Sequence, residues 1–188
     1  ALIKNTRPVQ LIYHSGLFCV GLGLGWVAYP ENFYLNMFSI FAALDLLLAV
    51  GLAWLASVII NDICDVPIDV ISNASRPLPR KIFETKPYLE LGVLCFALSV
   101  LGGLIIGVQF FITLLLYQFL AWAYSANPYR LKRIPILATF VSALASLLVV
   151  FLGFFLFSGE DYLSGFSWRI IWLLLISLTL SLPVKDLK

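Results

Sequence analysis

Charged residues are scarce in this chain. Only 12% of its 188 residues are Asp, Glu, Lys or Arg, about half the share found in soluble domains, whereas 62% are hydrophobic. A water-soluble core cannot bury so much apolar surface, so the composition excludes an ordinary soluble domain. The net charge of +2 is also small and gives no reason to expect a nucleic-acid partner.

Cysteine and histidine are also rare. The three cysteines, Cys19, Cys64 and Cys95, form no CxxC pair, so we interpret them as small buried side chains and not as a disulfide or zinc set. His14 is the only histidine and has no carboxylate or cysteine at ligand spacing. We expect it to pack or to form a hydrogen bond and not to be catalytic.

Apolar residues occur in long blocks and not in the alternation typical of strands. Such blocks predict membrane-spanning helices, in which every backbone group is satisfied internally, and about 20 residues suffice to cross the hydrocarbon layer. The predicted fold class is therefore an all-α polytopic transmembrane helix bundle, without an internal repeat that would indicate a duplicated transporter. Six spans are expected: about 9–29, 37–61, 88–107, 109–126, 135–157 and 168–184.

The loops on the two sides of the predicted bundle differ in charge. If the spans alternate in direction, Arg169 is the only one of the 12 basic residues that falls on the opposite side from the rest. Because basic loops are retained in the cytoplasm, we predict that the basic side and the N-terminus are cytoplasmic. The long stretch from Asn61 to Pro87 lies on this side, and we expect any chemistry to take place there.

The second predicted span ends in the acidic sequence NDICDVPID. Like charges repel one another at a helix C-terminus, where the helix dipole is already negative, so a compensating cation is expected. Oxygen ligands suit Mg²⁺, which bridges carboxylates to substrate phosphates. The alternative is a solvated loop in which Pro67 makes the last turn irregular. Four oxygen-bearing side chains fall within an arc of about 100° on an ideal helix: Asn61, Asp62, Asp65 and Asp69.

A proline-stiffened loop follows this acidic segment and carries Arg76. A guanidinium group can bind two diphosphate oxygens at once, which the lysine ammonium cannot do in the same geometry. The alternative role of Arg76 is that of a positive charge beside the membrane that fixes topology.

The spacing Asn61-Asp62-x-x-Asp65-x-x-x-Asp69, followed by Arg76-Pro77-Leu78-Pro79, resembles the first aspartate-rich signature of the UbiA-type intramembrane prenyltransferases. Many relatives have Ser-Gly where this chain has Arg80-Lys81. The resemblance covers residues 1–188, which we interpret as one prenyltransferase domain. Three further features agree with it: Arg7-Pro8, the segment 124–133 and Lys185-Asp186.

In that family a second aspartate-rich motif follows the sixth helix, and the helix bundle is larger. Only the first acid of that motif, Asp186, occurs before Lys188. We therefore expect the chain to be a fragment that lacks the C-terminal helices of a larger bundle.

The resemblance implies a Mg²⁺-dependent transferase that moves a prenyl group from a prenyl diphosphate to an aromatic or lipid-like acceptor in the membrane. It implies that Asp62, Asp65, Asp69 and Asp186 are catalytic and that, with Asn61, they hold the metal. A cavity with apolar and aromatic walls would protect the allylic cation from water. Substrate binding is expected from Asn61, Arg76, Tyr124, Arg130, Lys132, Arg133 and Lys185, although the basic residues could instead only fix topology and Tyr124 could be interfacial.

Two other functions use similar residues. A cation-coupled secondary transporter would place its acids near the bilayer midplane on discontinuous helices, whereas these acids lie at a helix end beside Arg76. A membrane phosphotransferase acting on nucleotide-activated alcohols would also use aspartates and Mg²⁺, but the matching Asp-Gly and Ala-Arg context is missing around these aspartates.

Overall fold

A computed structural model describes residues 7–32, 36–158 and 168–181. In this part of the chain all regular structure is helical, which confirms the predicted all-α class. The two 3-10 turns are Pro30–Asn32 and Leu131–Arg133. The six α-helices are α1 (Pro8–Ala28), α2 (Met37–Ser72), α3 (Thr85–Ile106), α4 (Val108–Ser125), α5 (Pro135–Ser158) and α6 (Trp168–Ser181).

The first five helices, α1 to α5, are each long and apolar enough to cross a membrane. They correspond to the first five predicted spans and make the chain a multi-pass integral membrane protein. In α6 the apolar stretch is shorter, Ile171–Leu180. The end of the sixth predicted span, 182–184, lies outside the described residues.

Helix α2 is longer than the predicted membrane span 37–61. It begins with a capping box, in which the backbone N–H of Ser39 donates to Asn36 Oδ1 at 2.8 Å, and it continues past the predicted end at residue 61 to Ser72. Pro67 lies inside the helix. A helix of 36 residues is about 54 Å long, well beyond the roughly 30 Å hydrocarbon core. Its acidic C-terminal turns are therefore helical and can project beyond the hydrocarbon.

Small residues bring the backbones of α1 and α5 close together. A Cβ at Gly21 would overlap the carbonyl group of Val150, and a Cβ at Gly153 would overlap the backbone oxygen of Phe18. Close backbone approach is a main source of helix association in lipid, where apolar burial drives little. The central core lies between α1, α2, α4 and α5, and its fully buried members include Phe18, Leu46, Val50, Leu114 and Leu152.

Five helix ends meet at one end of the bundle. The side chain of Arg7, just before α1, reaches Asp62 near the end of α2, and Tyr88 in the first turns of α3 reaches the same carboxylate. Ser125 at the end of α4 and Lys132 before α5 both reach Asn61. The helices therefore alternate in direction, and the basic residues that connect them gather at this end.

Candidate functional site

The acidic face of α2 divides into two flanks. At about 100° per residue, Asn61 and Asp65 lie about 40° apart on one edge of the face, and Asp62 and Asp69 lie about 20° apart on the other. The two pairs take different partners. We call Asn61 and Asp65 the cavity flank, because Asn61 lines a cavity described below, and Asp62 and Asp69 the loop flank.

Two cations converge on the carboxylate of the cavity flank. Arg130 Nη2 donates to Asp65 Oδ1 at 2.9 Å, and Lys132 Nζ donates to the same oxygen at 2.6 Å. Lys132 Nζ also lies 2.8 Å from Asn61 Oδ1, which accepts a further hydrogen bond from Ser125 Oγ at 3.1 Å. The hydrogen bonds from Arg130 and Lys132 are charge-assisted, and bonds of this kind are roughly twice as strong as neutral ones.

Arginines from two different segments meet on the loop flank. Arg76 Nη1 lies 2.7 Å from Asp69 Oδ2 and 3.6 Å from Asp62 Oδ1. Arg7 Nη2 lies 3.2 Å from Asp62 Oδ1, and the Tyr88 hydroxyl donates to Asp62 Oδ2 at 3.3 Å. This flank therefore ties together the segment before α1, the loop after α2, and α3.

Local structure fixes the arginines. Leu78 is buried in a small cluster with Ile59 and Tyr88, which anchors the loop that carries Arg76. Two other site arginines, Arg7 and Arg130, have left-handed backbones with φ of 51° and 39°. Non-glycine residues rarely adopt this conformation, and it persists only where the surrounding structure requires it.

A cavity of about 780 Å³ opens beside the cavity flank, between α1, α2, α4 and α5. Basic and polar side chains, Arg7, Asn61 and Lys132, lie on its wall near the ionic cluster. Its aromatic wall is formed by Tyr13, His14, Trp54, Tyr117 and Tyr124.

Most of the predicted site residues lie together at this end of the bundle. Arg133 is exposed in its 3-10 turn, away from the neighbouring Arg130 and Lys132 that reach Asp65. Lys185 and Asp186 lie outside the described residues. The residues that the structure brings together are Asn61, Asp62, Asp65, Asp69, Arg76, Tyr124, Arg130 and Lys132.

Sequence reasoning did not place several residues that lie at the site. Arg7 and Ser125 belonged to recognised features, the Arg-Pro pair and the segment 124–133, but neither was assigned to the acidic face, and Tyr88 gave no motif. A spacing of seven residues was an available signal, because it returns a side chain to nearly the same helix face after two turns. It relates Trp54 to Asn61 on α2, and both line the cavity.

The oxygen atoms of both flanks suit a cation. Lys132 Nζ already lies between Asn61 Oδ1 and Asp65 Oδ1, and carboxylate and amide oxygens are ligands that Mg²⁺ accepts. Within the described ranges, however, no three His, Cys, Asp or Glu side chains converge on one metal position. Here the carboxylates of the two flanks pair with arginine and lysine side chains, and their joint binding of a metal stays a prediction. A metal here would need further oxygens from substrate or water.

These features define a class of protein: a membrane helix bundle in which acidic and basic side chains meet at the mouth of an aromatic-walled cavity. The chain matches the sequence model of the UbiA prenyltransferase family over residues 16–185 and belongs to that family.

Solved structures share the fold. A UbiA homolog from Archaeoglobus fulgidus bound to GPP and Mg²⁺ superposes with a TM-score of 0.74 at 22% identity, over 93% of this chain and 58% of that chain. The same homolog bound to DMAPP and Mg²⁺ gives a TM-score of 0.67 at 22% identity, over 86% of this chain and 57% of that chain.

A curated relative is similar over a shorter stretch. The bacteriochlorophyll synthase 33 kDa chain of Rhodobacter capsulatus is 37% identical over 73 residues, which are 39% of this chain and 24% of the relative. The chain therefore spans less than two thirds of the length of the proteins it matches.

Proposed function

We propose that this chain forms the prenyl-diphosphate site of a Mg²⁺-dependent membrane prenyltransferase that acts on an aromatic or lipid-like acceptor. The observation that carries the proposal is the set of basic side chains held on the acidic face of α2 beside the cavity. The GPP and DMAPP bound to the Archaeoglobus fulgidus homolog support the same substrate class. The basic side chains are Arg7, Arg76, Arg130 and Lys132.

The diphosphate would bind between the two flanks and the basic side chains. Arg130 and Lys132 are only 11% and 15% exposed, so they lie in surroundings where charge interactions are strong. Arg130 Nε is buried and has no hydrogen-bond partner among the described residues. A diphosphate oxygen would satisfy this donor, which favours an anionic ligand over a translocated cation.

Bound Mg²⁺ would supply Lewis-acid stabilisation of negative charge on the diphosphate. Asn61 and Asp65 would hold it on the cavity flank, and Asp62 and Asp69 on the loop flank. Asp186, which is predicted to contribute, lies outside the described residues. These assignments rest on the donor oxygens and on the cations that already lie against them.

The basic side chains would act most strongly during bond cleavage. As the carbon–oxygen bond of the prenyl diphosphate breaks, negative charge grows on the leaving diphosphate, and Arg130 and Lys132 stabilise it more than they stabilise the intact substrate. The cavity keeps water from the allylic cation, and the faces of Trp54, Tyr117 and Tyr124 can stabilise its positive charge.

We also propose that this end of the bundle faces the cytoplasm. The described basic residues from Arg7 to Arg133 lie in loops and first turns at this end, as expected for segments that are retained during insertion. Cysteine labelling at Lys81, an exposed loop residue, would test the orientation in sealed membrane vesicles. Labelling only from the extracytoplasmic face would contradict it.

The test of the proposed activity uses the full-length protein in detergent. We expect diphosphate release and prenyl transfer from geranylgeranyl diphosphate with a panel of aromatic and glycerol-phosphate acceptors, and loss of both with chelator or in Asp65→Ala. Glu90→Gln, which removes an exposed carboxylate on α3, is the matched control. A folded wild-type protein that neither binds nor cleaves the prenyl diphosphate would overturn the proposal.

A further inference from the structure

The cavity has two unlike walls. Aromatic side chains of α1, α2 and α4 form the aromatic wall, whereas the described lining residues of α5 include no aromatic or charged side chain. At about 100° per residue, four small α5 residues fall within an arc of about 100°, and we call them the α5 wall. They are Ala138, Ser142, Ala145 and Ser146. A hydrocarbon chain cannot form hydrogen bonds with the two serines, so the α5 wall suits a different occupant.

The hydroxyl groups of Ser142 and Ser146 lack the usual partner of a hydroxyl inside a helix. Such a hydroxyl commonly donates to the backbone oxygen one turn earlier, as Ser15 on α1 does at 3.0 Å and Thr139 on α5 does at 2.9 Å. Neither Ser142 nor Ser146 makes this bond or another hydrogen bond within the described ranges. Both residues line the cavity, so a molecule in the cavity can supply the missing partner.

The oxygen of Ser146 borders the cavity. The residue is only 3% exposed and lines the cavity. In the part of the chain that the structure describes, the fully enclosed side-chain atoms without a hydrogen-bond partner are Asp45 Oδ2, Gln118 Nε2 and Arg130 Nε. Ser146 Oγ also has no partner but is not one of these atoms, so it is open to the space that its residue lines. A hydroxyl held there costs free energy unless something in the cavity bonds to it.

A hydroxyl on the aromatic wall is bound differently. Tyr117 is hydrogen-bonded through its side chain to Ser57, and Ser57 Oγ in turn donates to the backbone oxygen of Trp54 at 2.7 Å. The protein itself therefore satisfies these groups, and a prenyl chain can lie against this wall without leaving them unpaired.

We propose that Ser142 and Ser146 bind a hydroxyl or carbonyl oxygen of the prenyl acceptor. The inference rests on the proposed transferase function, because the prenyl chain would occupy the aromatic wall and leave the α5 wall to the acceptor. A serine hydroxyl both donates and accepts, so it suits either kind of oxygen. The two serines lie about 10 and 16 Å along α5 from Pro135. Hydroxyl groups alone would poorly stabilise a carboxylate or phosphate at this depth, so the oxygen is a neutral one.

The first test compares Ser142→Ala and Ser146→Ala with the wild type in the full-length protein. Initial rates are measured at saturating geranylgeranyl diphosphate with each aromatic and glycerol-phosphate acceptor in turn. Loss of one hydrogen bond should raise the acceptor KM about 3–10-fold, while Mg²⁺-dependent binding of geranylgeranyl diphosphate changes by no more than about twofold. Ser15→Ala is the matched control, because its hydroxyl is bonded within α1, and it should leave both quantities unchanged.

Thermal unfolding separates binding from a structural role. Since the Ser146 hydroxyl has no partner among the described residues, Ser146→Ala should keep or raise the unfolding midpoint. A lower midpoint together with an unchanged acceptor KM would overturn the inference and make Ser146 a structural residue.

The second test adds the same atoms to each side of the cavity. Ala145→Leu on the α5 wall should raise the acceptor KM at least about tenfold and leave binding of geranylgeranyl diphosphate within about twofold. Ala121→Leu, which enlarges a cavity residue of α4 between Tyr117 and Tyr124, should weaken binding of geranylgeranyl diphosphate and leave the acceptor KM unchanged. The reverse pattern would mean that the prenyl chain occupies the α5 wall, which contradicts the inference.

Failure of the inference and failure of the proposed function give different results. The inference alone fails if the wild-type protein cleaves geranylgeranyl diphosphate but transfers to no acceptor with a neutral oxygen. It also fails alone if the acceptor KM stays within about twofold of the wild-type value in both serine variants. A folded wild-type protein that neither binds nor cleaves the prenyl diphosphate would overturn the proposed function, and the inference with it.

Discussion

The two flanks of the acidic α2 face carry similar groups in different surroundings. On the loop flank the carboxylates are 5% exposed and their arginine partners 33% exposed. On the cavity flank the Asp65 carboxylate is 17% exposed, and its two cationic partners are 11% and 15% exposed. The loop flank therefore buries acids under solvated arginines, whereas the cavity flank encloses its cations beside the cavity.

The difference in burial between the two flanks predicts a structural role for the loop flank and a binding role for the cavity flank. The loop-flank contacts connect three segments that are distant in sequence, so losing one of them should loosen the bundle. Of the cavity-flank cations, Lys132 lies next to Asn61 and both line the cavity, so Lys132 can exchange a carboxylate for a ligand oxygen without moving far. We expect substitutions on the cavity flank to change binding and rate, and substitutions on the loop flank to change stability as well.

Asp65→Asn should have the largest effect of any single change. It keeps the shape of the side chain but removes the negative charge that Arg130 and Lys132 bind. We expect prenyl transfer to fall by about 10²–10³-fold, the size measured when one preorganised electrostatic group is removed. Transfer from geranylgeranyl diphosphate by the detergent-purified protein measures it.

The control for Asp65→Asn is Glu90→Gln, which removes the same charge from an exposed position on α3. The control should transfer at the wild-type rate. Near-normal activity in Asp65→Asn would show that the cavity flank does not hold the reacting groups, and the contrast between the flanks would then have no functional meaning.

Asp62→Asn should have the next largest effect, this time on stability. Its carboxylate accepts from Arg7 and Tyr88 and lies 3.6 Å from Arg76, so the variant weakens three contacts. Breaking a fully buried pair costs about 3–5 kcal/mol. Because the arginines are one-third exposed, we expect a loss of about 2 kcal/mol in the free energy of unfolding.

Thermal unfolding in detergent compares Asp62→Asn with Asp65→Asn directly. The loop-flank variant should have the lower midpoint, although both remove one carboxylate from the same helix face. A lower midpoint for Asp65→Asn would mean that burial of a carboxylate does not decide how much it contributes to stability.

The sequence predicted the membrane helices well because each is a block of about 20 apolar residues. The predicted span 37–61 covers only the apolar part of α2, and the alternative in which Pro67 makes the last turn irregular is wrong. A proline removes only one backbone hydrogen bond, and α2 continues beyond it to Ser72. The helical arc of acids was nevertheless correct, since the segment is helical throughout.

The division of that arc into flanks could not be predicted from α2 alone. Helix geometry gives the angle between Asp62 and Asp65, but their partners are set by the backbone path of distant segments. Arg7 and Arg130 reach opposite flanks from left-handed backbone positions that no local sequence pattern predicted. The packing of His14 against Trp54 and Tyr117 was missed for the same reason, because these three rings come from three helices.

Lys132→Met should produce a smaller and more specific change. The ammonium group lies between Asn61 Oδ1 and Asp65 Oδ1, where it would compete with the proposed divalent cation. Without it we expect Mn²⁺ alone to bind about tenfold more tightly, and geranylgeranyl diphosphate to bind about tenfold more weakly. Electron paramagnetic resonance of Mn²⁺ and calorimetry measure the two affinities.

The matched control for this change is Lys86→Met, which removes an exposed ammonium group from the first turn of α3. It should leave both affinities unchanged. If Lys132→Met weakens Mn²⁺ binding, the ammonium group supports the metal site and does not compete with it. Exchange of the Asp65 carboxylate for a ligand oxygen at the cavity flank would then be contradicted.

Tyr88→Phe should have the smallest effect and tests the loop flank most finely. It removes the hydroxyl that donates to Asp62 Oδ2 at 3.3 Å and keeps the ring stacked on Phe83 at 5.6 Å. A single hydrogen bond contributes about 0.5–1.5 kcal/mol, and this one is long, so we expect a loss near the lower limit and an unchanged transfer rate. A loss as large as that of Asp62→Asn would mean that Tyr88, and not the arginines, holds the buried carboxylate in place. The loop flank would then be a contact between α2 and α3 with its arginines available to the substrate, as the cations of the cavity flank are.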